Sequence, residues 1–254
     1  MIKLSSHGYE ILQAGEEFSV CRARRDGELS TVLVVTPVSK YPALESLAHL
    51  ETEYSFRDEL DLDWAARPLA LTRSEGRTML VLEDPGGEPL DRLLGQPMEL
   101  GRFLHLAINL AAGLGKLHCR DLIHKDIKPA HILVDSATNK VWFTGFGIAS
   151  RLPRERQAAE PPEVIAGTLA YMAPEQTGRM NRSIDSRSDL YSQGITLYQM
   201  LTGVLPFQAS DPMDGFTATL RGSQRHQRAD RADPRIRFSI KEPWRRIGYS
   251  QYSR

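Results

Sequence analysis

The chain has 254 residues, enough for one large domain or two small ones, and its 41% apolar content is sufficient for a buried core. Its 32 basic and 32 acidic residues cancel, which excludes a global field steering the molecule toward nucleic acid or an anionic membrane. The balance is uneven along the chain: residues 215–254 carry nine Arg and one Lys against three acids, so the basic excess lies entirely in the tail.

Cys21 and Cys119 lie far apart with no CxxC or Cys/His spacing, so neither a zinc site nor a disulfide framework is indicated. Reduced thiols in a cytoplasmic protein are expected. The N-terminus MIKLSSHGYE has no apolar run of signal-peptide length, and the best uncharged run, Phe103 to Gly115, is too short to span a bilayer.

In chain order, the runs ILQA, FSVCRAR and STVLVV, separated by AGEE and RRDGE, predict an antiparallel sheet. Residues 43–60 place Leu44, Leu47, Leu50, Tyr54 and Leu60 roughly at helical spacing without Gly or Pro, which predicts one helix. PLALTRSEG and RTMLVLED read as a hairpin turning at Glu75-Gly76, and PGGEPL ends the sheet. Residues 100–118 predict a strongly apolar, largely buried helix. ILVD follows as a strand, then a GFG turn, a proline- and charge-rich loop at 151–163, and GTLAYMAPEQ. DLYSQGITLYQMLTG predicts a second long helix capped by Gly203.

The stretch HKDIKPAHILVD at 124–135, followed in order by GTLAYMAPE and SDLYSQG, resembles the protein kinase superfamily across about residues 8–214. The resemblance implies an α+β, protein-kinase-like fold: a small β-rich N-lobe at 8–84 and a mostly helical, incomplete C-lobe at 85–214, with 215–254 a basic, non-homologous tail expected to be disordered. It implies that Asp126 is the base orienting a substrate hydroxyl and that Lys128 neutralises the transferring phosphoryl group. Thr168, Glu175 and Asp189 are then structural, Asp189 anchoring the catalytic-loop backbone and Thr168 packing against Asp126. Gly15, Val20, Glu83, His131 and Gly145 fall at cofactor-binding positions, and ATP and Mg are the implied cofactors. The segment from TLAYMAPEQ to QASDPMD is similar to the N-terminal kinase-like module of large bacterial sensor histidine kinases with an ATPase region. Other signalling domains or proteins are therefore the implied partners, with neither nucleic acid nor membrane.

Several residues that phosphoryl transfer needs are absent. The Mg-binding DFG is Gly145-Phe146-Gly147, which supplies no carboxylate, and the second metal ligand, Asn, is His131, a softer donor. No metal-ligand set is assigned. The lysine of the third strand falls at Val34, or within Val32 to Thr36 allowing a slip; Lys40 lies beyond Pro37. Its helix partner is Glu53, either an unpaired carboxylate or a solvated helix residue. The phosphate-covering loop retains only Gly15, beside Glu16 and Glu17, whose charge opposes a triphosphate. Residues 151–167 hold no Ser, Thr or Tyr, and Lys125 replaces the arginine that receives an activating phosphate, so a phospho-switch there is not expected. These losses predict feeble or absent ATP binding.

Related modules continue Asp-Pro-Met-Glu-Trp-Val-His-Cys-His-Ile-Ala-Arg, and codons for that run read one base later yield Gly-Phe-Thr-Ala-Thr-Leu, residues 215–220. A frameshift after Met213 is one reading of the tail; a basic segment binding nucleic acid or anionic lipid is the other. The frameshift would leave Ile195, Leu197 and Leu201 exposed on the last helix. Two function classes follow. One is a catalytically impaired pseudokinase or scaffold in bacterial signal transduction. The other is a weak, atypical Ser/Thr kinase using Asp126 and Lys128 with Glu83, Asp84 or Asp135 as compensating ligands.

Overall fold

A computed structural model describes residues 9–24, 30–74, 76–152, 168–177 and 183–206. Five strands open the chain: β1 (Glu10–Ala14), β2 (Phe18–Arg24), β3 (Thr31–Pro37), β4 (Pro68–Ser74) and β5 (Arg77–Glu83). They form one antiparallel sheet in the order β1-β2-β3-β5-β4. The Val- and Leu-rich β3 is central and buried on both faces, which its near-continuous apolar run anticipates. One face carries Val32, Val34, Ala23 and Val81. The other carries Leu33 and Val35 and meets helix α1 (Leu44–Ser55) through Leu50.

The helix is shorter than the apolar pattern predicts. It ends at Ser55, Phe56 turns into the core at 2% exposure, and Leu60 is reached through turns closed by amide bonds back to Phe56. Leu44, expected on the buried face, is 85% exposed, because the face turned inward is that of Ser46, Leu50 and Glu53.

The second lobe is built on helix α2 (Leu100–His118), whose N-terminus is capped by Glu99 accepting from the amides of Gly101 and Arg102. Its Phe103, Leu106, Leu110, Leu114 and Leu117 form the main core with Phe143, Phe146 and Met200. The outer face is less buried than expected, leaving Leu104 and Ile108 in solvent. Short strands β6 (Glu88–Pro89), β8 (Ile132–Val134) and β9 (Val141–Phe143) form a small sheet beside the helix, and β7 (Leu122–Ile123) pairs with β10 (Ser150–Arg151). Helix α3 (Ser186–Thr202) starts at an Asp185 cap and ends at Gly203, whose φ of 76° permits its N–H to close on Gln199 O.

Ile195 is 7% exposed, and Leu197 and Leu201 pack on the main core, so these three do not form the expected exposed surface; Leu190 and Tyr198 are the exposed apolar residues of α3. The turn at Glu75, the loop at 153–167 and the tail 215–254 lie outside the described residues, as does the completeness of the second lobe. Among the described residues no helix is long and apolar enough to cross a membrane.

Two contacts fix the lobes against each other. Leu12, Leu33, Val35, Leu80 and Leu82 of the large sheet share one apolar cluster with Leu133 of β8 and Trp142 of β9. Beside it, Arg22 of β2 donates through Nε to Asp84 Oδ2 at 2.6 Å and through Nη2 to Gly87 O at 2.7 Å, and Thr31 Oγ1 donates to the same carboxylate at 2.6 Å. Burial raises the Asp84 pKa, but the bonds from Arg22, Thr31 and the Gly86 amide outweigh it and hold the group below the usual carboxylate range.

Candidate active site

Between the lobes lies a cleft of about 410 Å³, bounded by the β1–β2 turn, the inner face of β3, helix α1, the catalytic loop and the GFG turn. The loop between β7 and β8 is held from beneath by Asp189 of α3. This fully buried carboxylate accepts from the amides of His124 at 2.9 Å and Lys125 at 2.8 Å and pairs with His118 Nε2 at 2.9 Å. Those bonds stabilise Lys125 at φ 67°, a conformation that non-glycine residues rarely adopt. Gln176 adds an Nε2–H bond to Lys125 O, and Glu175, buried, accepts from Ser188 Oγ at 2.7 Å.

The catalytic-loop side chains meet in the cleft. Asp126 Oδ2 accepts from Lys128 Nζ at 2.8 Å, Asp126 Oδ1 accepts from the Thr168 amide at 3.0 Å, and Lys128 Nζ also donates to Thr168 Oγ1 at 2.6 Å. Burial pushes the Asp126 pKa up, but the electrostatic pull of His131 and Lys128 and the hydrogen bond from Lys128 outweigh it and hold the group below the usual value. Gly15 and Val20 line the cleft, the Gly15 amide closing a turn onto Phe18 O.

Four residues are placed differently from the sequence reading. Val34 lies on the far face of the sheet, so within the range Val32 to Thr36 the side chain at the strand-lysine position is that of Val35, which lines the cleft as Glu53 does. The period of two along a strand decides this, and a one-residue slip puts the side chain on the wrong face. Glu83 does not reach the cleft; its carboxylate takes two 2.9 Å bonds from Arg67. Asp84 is committed to Arg22, and Asp135 closes its own turn with Thr138 and the Ala137 amide, so none of the three serves as a compensating ligand.

Of the two readings of Glu53, the structure selects the unpaired carboxylate. The residue is 4% exposed, and its Oε1 has no hydrogen-bond partner. Burial raises its pKa from 4.5 to about 7, against the amides of Phe146 and Gly145, which lower it.

The substitutions at 131 and 145 form one packing unit. The His131 ring lies against Gly145 so closely that a Cβ built there would be 2.6 Å from Nδ1 and 2.7 Å from Cγ and Cε1. Gly145 is also at φ 76°. An aspartate cannot stand at 145 while this imidazole occupies its space. Nδ1 lies 2.9 Å from Asp126 O, which can only accept, so Nδ1 carries the proton. Burial drives the His131 pKa from 6.5 down to about 4, so the ring is neutral.

Magnesium does not fit this donor set. It requires an octahedron of oxygens, whereas Gly145 offers no side chain, Nδ1 of His131 is a donor, and both Asp126 oxygens are engaged. Among the described residues no group of three or more His, Cys, Asp or Glu could hold a metal. On its inner side the cleft is lined by Leu33 and Leu82. His49 and Thr144, which also line it, were not singled out from sequence, although His49 sits four residues before Glu53 on the same helical face.

A sheet lobe and a helical lobe enclosing an aspartate–lysine–threonine triangle define the two-lobed class of kinase-like domains. The family model described as Protein kinase domain matches residues 15–246, and the chain belongs to the protein kinase family. It is similar to serine/threonine-protein kinase Pkn1 of Myxococcus xanthus, 35% identical over 134 residues that cover 52% of this chain and 19% of that protein. It is also similar to pkn2 of the same organism, 37% identical over 52% of this chain and 16% of that protein. PknB of Mycobacterium tuberculosis is 37% identical over 46% of this chain and 18% of its own length. The chain therefore spans less than a fifth of these curated relatives.

Two outcomes follow from the geometry. Gly145→Asp alone is expected to destabilise the fold by roughly 2–4 kcal/mol through overlap and backbone strain, and adding His131→Asn recovers at least about 1 kcal/mol. A denaturant-unfolding double-mutant cycle measures this; additive effects would contradict the contact. For Glu53, a pKa raised from 4.5 to about 7 means that its contribution to stability is complete below pH 4.5 and lost as pH rises toward 7. Glu53→Gln is therefore expected to gain roughly 2–4 kcal/mol on wild type between pH 4 and pH 8. Parallel unfolding curves for the two proteins across that range would refute a buried neutral acid.

Proposed function

We propose that this domain is a catalytically impaired kinase, a pseudokinase that contributes a folded surface rather than phosphoryl transfer to cytoplasmic bacterial signalling. The carrying observation is the His131 ring seated over Gly145, which fills the space of the metal-binding carboxylate. Val35 in place of the strand lysine and the uncompensated Glu53 support the same reading. A second reading, weak transfer of the ATP γ-phosphate to protein serine or threonine, is favoured by the intact Asp126–Lys128–Thr168 geometry. Incubation with radiolabelled ATP and Mg or Mn separates the two. The expected result is no incorporation above an Asp126→Asn control; incorporation that this substitution abolishes would establish the weak kinase.

The larger setting is inferred from the resemblance of TLAYMAPEQ to QASDPMD: a module of a multidomain sensor histidine kinase, with other signalling domains as partners. A frameshift after Met213 accounts for residues 215–220, whereas the family match extending to residue 246 weighs against it. Resequencing the locus tests this, with the family's continuation expected in the neighbouring frame. Its absence there would overturn the frameshift.

A further inference from the structure

We propose that the interlobe cleft binds a small amphipathic organic cation, a primary amine or guanidine on an apolar stem, whose charged head pairs with Glu53. The inference rests on the reading that this cleft does not serve Mg-ATP.

Glu53 carries it. Its Oε1 is buried and has no partner, the residue lines the cleft, and an unsatisfied buried carboxyl oxygen is costly enough to require an explanation. The strand position that faces the same space is Val35, which offers neither charge nor hydrogen bond. The remaining walls agree on the sign of the missing group. Asp126, Glu16 and Glu17 line the cleft, against Lys128 as the cation in its wall, and Lys128 is already bonded to Asp126 and Thr168. His49 reaches Glu17 at 3.2 Å, and His131 donates to a backbone carbonyl. Such a field repels a polyphosphate and attracts an ammonium or guanidinium.

The stem has a matching surface. Phe18, Val20, Val35, Leu50 and Leu82 supply apolar wall in the same cleft as Glu53. Phe18 is partly buried in the β1–β2 turn, where an aromatic face can hold a second cationic group. A volume of about 410 Å³ falls in the range of small-molecule sites, roughly 300–1,000 Å³. The ligand would supply from solution the cation that the strand lacks.

Calorimetric titration of the full chain with agmatine tests this, with Mg-ATP titrated in parallel. Saturable one-to-one agmatine binding is expected, weakened about tenfold or more in Glu53→Gln, because a charge-assisted pair becomes a neutral one. In Val35→Lys the binding is expected to vanish, since a tethered ammonium takes the ligand's place, and thermal melting of that variant confirms that it remains folded. Absence of saturable binding to wild type, or binding that neither substitution weakens, would overturn the inference and leave the pseudokinase reading intact. Mg-ATP binding that agmatine does not displace would overturn the pseudokinase reading and the inference with it.

Discussion

The path of the catalytic loop depends on one buried carboxylate. Asp189 takes two backbone amides from the catalytic loop and a histidine nitrogen from α2, tying these two segments of the second lobe to the first turn of α3. A charge without solvent exposure is tolerable only when its lone pairs are occupied, and here the occupants are the amides that set the loop's path. Asp126, Lys128 and His131 project from that path. The loop of a protein kinase domain is therefore held in place with Asp126 and Lys128 still on it, beside His131 and Gly145.

Those exchanges are not independent erosion. His131 and Gly145 fit each other, the ring using the room that the missing Cβ leaves. Beside them, Val35 and Glu53 do not complement each other, since the buried acid meets an apolar side chain at that strand position. One pair has been repacked to self-consistency and the other left with an unmet bond. That contrast directs attention to Glu53 as the reactive feature of an otherwise settled cleft.

Much of this was legible in the sequence. The strand alternation, the two long helices and the Asp126–Lys128–Thr168–Asp189 framework all follow from local pattern and motif order, because each rests on backbone geometry that a short stretch specifies. Register was not legible to the residue: Val34 and Val35 are equally apolar, and only the paired sheet shows which one faces the cleft. Nor was the end of α1, where burial of Phe56 overrides a helix-compatible composition. The fates of Glu83, Asp84 and Asp135 were hidden because their partners Arg67, Arg22 and Thr138 are chosen by tertiary approach or by turn closure rather than by motif. Contact between His131 and Gly145, fourteen positions apart, needed coordinates.

The leucines that join the lobes carry a consequence for motion. In an enzyme whose domains close around a ligand, binding energy is spent on closure, and the open state is the resting one. Leu12, Leu33 and Leu133, reinforced by the bond from Arg22 to Gly87 O, hold the two lobes of this chain together without a ligand between them. Parting the lobes exposes apolar surface and breaks a charge-assisted bond, so the hinge behaves as a stiff joint. Whatever occupies the cleft meets a shape already set, and its affinity reports fit rather than the work of closing a jaw.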